Sequence, residues 1–214
     1  MKLNRCIDHT LLKPDATRAQ MRAICTEAKR HGFMGVCVNS AHTAFVVQEL
    51  KGTGIKTCCV VGFPLGAMAS AAKAYEASLC CELGAAEIDM VMDVGAAKDN
   101  DFLRVEADII AVLQAISGRA LLKVTIETGL LTDEEKVLAC LAAKRAGAQF
   151  IKTSTGFALS GATVSDVRLI RETVGPDMGI KASGGIRSKT AAQALIDAGA
   201  NRIGASASVK IVEE

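Results

Sequence analysis

The chain has 214 residues, of which half are apolar and only 3% aromatic, and its formal net charge is +2. That length supports one large core, and without a Pro/Gly/Ser-rich linker a single domain over 1–214 is expected. Near-balanced charge, scattered Lys and Arg and few rings to stack on bases argue against nucleic acid. No uncharged run approaches the roughly 18 residues of a membrane span. Charge also interrupts the N-terminal stretch MKLNRCIDHTLLKP before a signal peptide could form, so the cytoplasm is the expected compartment.

In chain order, strands are predicted at 6–11, 35–39, 56–62 and 87–93, then at 121–127, 150–154, 179–182 and 202–205. Helices are predicted at 17–30, 41–50, 69–83, 101–116, 133–145, 163–172 and 188–198, with little left after Ser206. A core of Ala, Val, Ile and Leu suits parallel strands buried on both faces under alanine-rich helices. Gly32, Gly84, Gly147 and Gly199 each stand where a helix would end in a left-handed cap. The phrases HGF, LGAAEID, AGAQFIK and AGANRIG repeat this passage from helix end into strand. Eight strands, each followed by a helix, give a single-domain (β/α)8 TIM barrel. An open doubly wound sheet fits less well, because the units are evenly spaced and GxGxxG is missing.

In such a barrel the active site forms at the C-terminal ends of the strands, and alternate strand residues face the lumen. Lys152, in FIKTSTGF, and Lys181, in GIKASGGIR, fall late in neighbouring strands. Burying an unpaired ammonium is costly, and a second cation nearby favours loss of its proton. A neutral, desolvated lysine attacks carbonyls and forms Schiff bases. The spacing also puts Glu87, Asp89, Val91 and Asp93 on one face, and Lys123, Thr125 and Glu127 on another. Asp8 shares a face with Thr10, and Cys37 with Asn39. Asp89 reads equally well as a catalytic group or a lysine counter-ion, and Asp8 as a catalytic group or a turn residue. Three loops follow the last strands: Ser154-Thr155-Gly156, Ser183-Gly184-Gly185 and Gly204-Ala205-Ser206. Barrels commonly bind phosphate there through backbone N–H groups. Together these features predict carbonyl chemistry on a phosphorylated substrate.

The eight cysteines include two adjacent pairs, Cys58 with Cys59 and Cys80 with Cys81, but no CxxC. They are expected to be reduced, small, buried hydrophobes rather than metal ligands or disulfides. Cys37 reads as core rather than nucleophile. His9, His31 and His42 are dispersed and make no ligand motif, and His31 before Gly32 suits a helix C-terminus. Glu134 and Glu135 after Thr132 suit a capping arrangement.

A set of motifs spans nearly the whole chain: IDHTLLKP at 7–14, VCVN at 36–39, VVGFPLG at 60–66 and EIDMVMDVG at 87–95. It continues with LLKVTIETG at 121–129, KTSTGF at 152–157, KASGGIR at 181–187 and RIGAS at 202–206. As a set they resemble the deoxyribose-phosphate aldolases, a family of class I, Schiff-base enzymes. The resemblance implies that Lys152 is the Schiff-base lysine, and that Lys181 lowers its pKa and takes part in proton transfer. It implies that Asp89 works with Lys181 and an ordered water as a proton relay. Asp8 would position a substrate hydroxyl or support the lysines. Gly184, Gly185 and Ser206 would hold the substrate phosphate, with Gly156 and Gly204 in the adjoining loops.

The reaction implied is reversible cleavage of 2-deoxy-D-ribose 5-phosphate to acetaldehyde and D-glyceraldehyde 3-phosphate, without a metal or other cofactor. The expected partners are that sugar phosphate and further copies of the chain, as a homodimer or higher homo-oligomer, with neither nucleic acid nor membrane. Two departures bear on phosphate affinity. Ala207 interrupts a frequent Ser-Ser pair, with Ser208 the nearest substitute, and Phe157 stands where some relatives place lysine. Two rival readings stay open on the sequence. A related lysine-using barrel, such as a transaldolase-like lyase or a sugar-phosphate synthase, would keep the Schiff base and change the aldehyde, which donor tests separate. A non-catalytic sugar-phosphate binder would be expected to lack a lysine or Asp89, and this chain keeps all three.

Overall fold

A computed structural model describes residues 2–158 and 160–214. Its strands are β1 (Ile7–Leu11), β2 (Gly35–Val38), β3 (Lys56–Val61), β4 (Glu87–Val91), β5 (Leu121–Thr125), β6 (Phe150–Lys152), β7 (Gly179–Ser183) and β8 (Arg202–Ala205). They pair in parallel in chain order, and β8 returns to β1, so the sheet closes into the expected (β/α)8 barrel. Around it lie α1 (Arg18–His31), α2 (Thr43–Glu49), α3 (Ser70–Glu82), α4 (Val94–Lys98) and α5 (Phe102–Ile116). The circuit is completed by α6 (Asp133–Ala146), α7 (Val164–Val174), α8 (Lys189–Asp197) and α9 (Ser208–Glu213).

Strand alternation sorts the side chains into two cores. Outward residues such as Val36, Cys59, Ile88, Val124, Ile151 and Ile203 pack with the helices in one continuous apolar layer. Each fully buried branched side chain there contributes roughly 1.5–3 kcal/mol. Helix ends follow local chemistry. Thr17 with Gln20 and Thr132 with Glu135 form the capping boxes that open α1 and α6. Gly32 (φ 64°) and Gly147 (φ 94°) close the same two helices in the left-handed region, where a side chain would be strained.

The structure departs from the sequence expectations at element ends. Several strands stop short of their predicted limits, because apolar alternation outlasts the hydrogen-bonded ladder. Gly62 (φ 61°) and Glu127 (φ 57°) turn left-handed and end β3 and β5. Asp93 does not share the lumen with Asp89: it caps α4 by accepting from Ala96 N at 3.0 Å and pairs with Arg104 at 2.8 Å. Glu127 likewise leaves the face of Lys123, and its carboxylate accepts from Thr155 N at 3.2 Å. The predicted helix at 41–50 divides into a 3-10 turn, Ser40–His42, and α2. Neither α4 nor α9 is predicted, since five and six residues are too few for a 3.6-residue period to show.

Candidate active site

Closure of the barrel sets which lumen residues meet. Lys152 pairs in register with Thr125 on one side and Lys181 on the other. Asp89 lies opposite Val60 and Lys123, while Asp8 lies opposite Gly35 and Gly204. Both glycines make room for charged neighbours. A Cβ on Gly35 would stand 2.9 Å from Asp8 Oδ1, and one on Gly204 would stand 2.9 Å from Lys181 Cε. Gly204, expected near phosphate, therefore first allows Lys181 to cross the lumen.

Asp89 is fully buried at the centre of an ionic cluster. Its Oδ2 accepts from Lys152 Nζ at 2.9 Å and from Lys181 Nζ at 2.7 Å, and its Oδ1 accepts from Lys123 Nζ at 2.7 Å. Asp8 accepts from Lys181 through Oδ2 and from Arg202 Nη1 through Oδ1, the latter at 2.6 Å. Glu87 holds Lys123 at 2.6 Å and takes two hydrogen bonds from Arg202, at 3.0 and 3.2 Å. Three carboxylates, Asp8, Glu87 and Asp89, thus face four cationic side chains, Lys123, Lys152, Lys181 and Arg202. Lys123, Lys181 and Arg202 each contact at least two of the carboxylates, whereas Lys152 contacts Asp89 alone.

Burial opposes every one of these charges, and pairing prevails. Burial pushes the Asp8 carboxyl up, but Lys181, Lys123 and Arg202 together bring it down to about 2. At Asp89 burial is again outweighed, here by Lys123, Lys152 and Lys181, which hold the carboxyl well below the usual range. Burial works against the Lys181 ammonium, yet Asp8 and Asp89 hold it above the ordinary lysine value. Lys181 therefore stays protonated at neutral pH. The two lysines expected to be neighbours are neighbours, with a carboxylate oxygen shared between them.

Lys152 and Lys181 line a cavity of about 250 Å³, together with Gly156, Gly184, Gly185, Gly204 and Ser206. Asp8 and Asp89 lie behind the lysines and are absent from its wall. Gly156, Gly161 and Gly184 stack backbone against backbone: a Cβ on Gly161 would come within 2.1 Å of Gly184 O. Gly185 has open space around it, so glycine is required there by its φ of 76°. Two exposed cations, Lys13 and Arg187, also line the cavity and supply positive charge where Phe157 does not. They stand in the motifs IDHTLLKP and KASGGIR, which give no sign of their placement. Ser208 does not replace the hydroxyl missing at Ala207, because it is buried and donates to Ala205 O at 2.8 Å.

An aromatic ring also stands beside Lys152. Lys152 Nζ lies 5.7 Å from the Phe63 ring centroid, and Phe63 meets Phe157 edge-on at 5.2 Å. The loop carrying Phe63 is held from outside the barrel: Gly62 N donates to Glu76 at 2.9 Å, and the stem of Lys73 packs on Gly62. Lys73 is fully buried and pairs with Asp108 at 2.6 Å, and Asp108 also accepts from Asp93 N at 3.2 Å. Opposite Lys152, the buried Thr125 hydroxyl has no hydrogen-bond partner among the described residues. Strand alternation in the sequence puts Glu87 and Lys123 on the faces that meet here, whereas no motif points to Arg202 as a member of this cluster.

A closed barrel with a cavity-lining lysine on a buried carboxylate, facing glycine loops, has the parts a lysine-dependent carbonyl enzyme needs. The comparisons narrow this. The model for "DeoC/LacD family aldolase" matches residues 4–211, and the chain belongs to that family. It is 57% identical to the deoxyribose-phosphate aldolase of Clostridium novyi (strain NT) over 213 residues, covering 100% of this chain and 96% of that one. Identity to the enzyme of the same name from Lactococcus lactis subsp. lactis (strain IL1403) is 55%, with the same coverage. The solved deoxyribose phosphate aldolase from Aeropyrum pernix, described as tetrameric, superposes with a TM-score of 0.92 at 35% identity, over 99% of this chain and 89% of that one. Among the described residues, no helix is long and apolar enough to cross a membrane.

Proposed function

We propose that this chain is a class I aldolase that reversibly cleaves 2-deoxy-D-ribose 5-phosphate to acetaldehyde and D-glyceraldehyde 3-phosphate through a Schiff base on Lys152. The observation that carries the reading is the charge count around one amine. Three carboxylates face four cations, and Lys152 is the cation with a single carboxylate partner and a place on the cavity wall. Removing one proton there leaves three charges against three, so the attacking amine forms without stranding a buried ion.

The amine adds to the C1 aldehyde, and the carbinolamine takes up one proton as it loses water to give an iminium. A base takes the C3 hydroxyl proton, the C2–C3 electron pair moves into the iminium, and glyceraldehyde 3-phosphate departs. Protonation of the enamine at C2, followed by hydrolysis, releases acetaldehyde and restores Lys152. Asp89 and Lys181 form the couple suited to moving these protons through an ordered water, since Asp89 lies between the two lysines and Lys181 is held protonated. Asp8 acts by holding Lys181. The amides of Gly184, Gly185 and Ser206 suit the phosphate, Gly156 and Gly204 shape the pocket, and Lys13 and Arg187 add charge. The same reading takes the enzyme as a cytoplasmic homo-oligomer, which light scattering on the purified chain checks.

Borohydride reduction in the presence of acetaldehyde, followed by peptide mass mapping, tests the mechanism. The expected product is an ethyl increment on Lys152, absent in Lys152→Ala. In Lys181→Leu the three carboxylates keep only three cationic partners, Lys152 among them, so labelling is expected to weaken. A folded protein that acquires no label on Lys152 would leave a phosphate-binding barrel without aldolase chemistry.

A further inference from the structure

Two thiols of the lumen have no part in the chemistry above. Cys37 on β2 and Cys58 on β3 are register partners, both buried, and both face Asp89. Cys58 Sγ lies 3.0 Å from Asp89 Oδ1, and Cys37 Sγ lies 3.9 Å from Asp89 Oδ2. The two sulfurs and a carboxylate oxygen fall within 4.8 Å of one another. Tetrahedral zinc, with bonds of about 2.3 Å to sulfur and about 2.0–2.2 Å to oxygen, holds those atoms roughly 3.5 Å apart. Cys58 Sγ approaches one Asp89 oxygen and Cys37 Sγ the other, at separations on either side of that value.

We propose that Cys37, Cys58 and Asp89 form an inhibitory site for a thiophilic divalent cation of the Zn2+ or Cd2+ class. The donors choose the ion: two sulfurs and one carboxylate suit zinc or cadmium, whereas Mg2+ and Ca2+ prefer oxygen. Each thiol gives up its proton as its metal–sulfur bond forms. One divalent ion therefore replaces two protons, the local charge is unchanged and no electron moves. A neighbouring triad of Asp8, Cys58 and Glu87 offers a thiophilic ion one sulfur instead of two and is the poorer host. The ion occupies an Asp89 oxygen that otherwise serves a lysine, so turnover stops for want of the shared counter-ion. That consequence rests on the aldolase reading, whereas binding itself does not.

Cadmium is the probe, because Cd–thiolate bonds add ultraviolet charge-transfer absorbance whether or not the protein turns over. The chain is titrated with Cd2+ while absorbance and aldol cleavage are followed in parallel, and EDTA is added last. The expected result is absorbance saturating at one ion per chain, activity lost in step, and both restored by EDTA. Cys37→Val, which preserves packing with Leu12 and Val60, and Cys58→Ala each weaken binding by at least the roughly 10–100-fold that losing a supporting residue costs a metal site. Cys80→Ala, at the thiol pair with Cys59 outside the lumen, leaves the titration unchanged. Saturation unaltered in both lumen variants, or absorbance lost with Cys80, overturns the site. Stoichiometric lumen absorbance with undiminished cleavage overturns the inhibitory role. Lumen absorbance in a protein that never labels at Lys152 keeps the site and overturns the aldolase reading instead.

Discussion

The lumen has two walls of opposite character. Cys37, Cys58 and Val60 on β2 and β3, with Leu12 and the Phe63 ring, form a small apolar patch. The strands β1 and β4 to β8 carry Asp8, Glu87, Asp89, Lys123, Lys152, Lys181 and Arg202. The apolar wall gives the ions only two weakly polar thiols, so they must chiefly satisfy one another. A buried cluster of this kind is weak as a source of stability, because desolvation cancels much of the attraction. What the contrast teaches is that this cluster fixes where each proton resides, and the bare wall opposite keeps water from redistributing them.

Removing the centre of the charged wall is the strongest way to break that contrast. Asp89→Asn leaves buried ammonium groups short of an acceptor and is expected to destabilise the fold by about 3–5 kcal/mol. Its folded fraction should cleave at least ~100-fold more slowly, as urea denaturation and single-turnover kinetics together would reveal. Acid probes the same wall more gently. The Asp8 carboxyl titrates at about 2 in the fold against about 3.9 in the unfolded chain. Its contribution is complete above about pH 4, declines as pH falls, and is gone below about pH 2. It amounts to about 2 kcal/mol, and Asp89 acts in the same sense. Unfolding free energies measured across that window should fall, and Asp8→Asn should flatten the fall.

At the mouth the effects are smaller. Arg187→Ala is expected to raise KM for the phosphorylated sugar about fivefold, equivalent to ~1 kcal/mol for an exposed charge. Cleavage of unphosphorylated 2-deoxyribose should be unchanged, and an equal loss on both substrates would deny the arginine a role at the phosphate. Thr125→Val sharpens the comparison by placing an apolar side chain on the charged wall itself, beside Lys152. Replacing an unpartnered hydroxyl by a methyl group is expected to stabilise the fold by up to about 1 kcal/mol in calorimetry. A fall in kcat instead would assign that hydroxyl to the substrate.

Much of this architecture is legible in the sequence, and what is not has a physical reason. Alternation in EIDMV and LLKVT correctly puts Asp89, Lys123 and Thr125 in the lumen, because a period of two survives inspection of one strand. The cluster is hidden because it depends on closure. Arg202 stands on β8 and Glu87 on β4, 115 residues apart, and only the meeting of β8 with β1 turns them towards each other. Asp93 and Glu127 mislead for the opposite reason: the alternation that places them in the lumen runs past the point where the chain leaves the ladder. Lys73 and Asp108 are similarly silent, being single charges in two helices with no shared motif. The thiol pair follows the same logic, since Cys37 and Cys58 are 21 positions apart in a chain without CxxC and become neighbours by strand register.

The Lys73–Asp108 pair has a consequence for how the site responds to its surroundings. The segment bearing Phe63 is anchored to α3 through Lys73 and Glu76, and Asp108 of α5 also steadies the start of α4 through Asp93. The ring beside Lys152 is therefore moored to the outer ring of helices, while Lys152 itself belongs to the inner staves. A shift in how α3 seats against α5 would alter the clearance over Lys152 with every strand still in register.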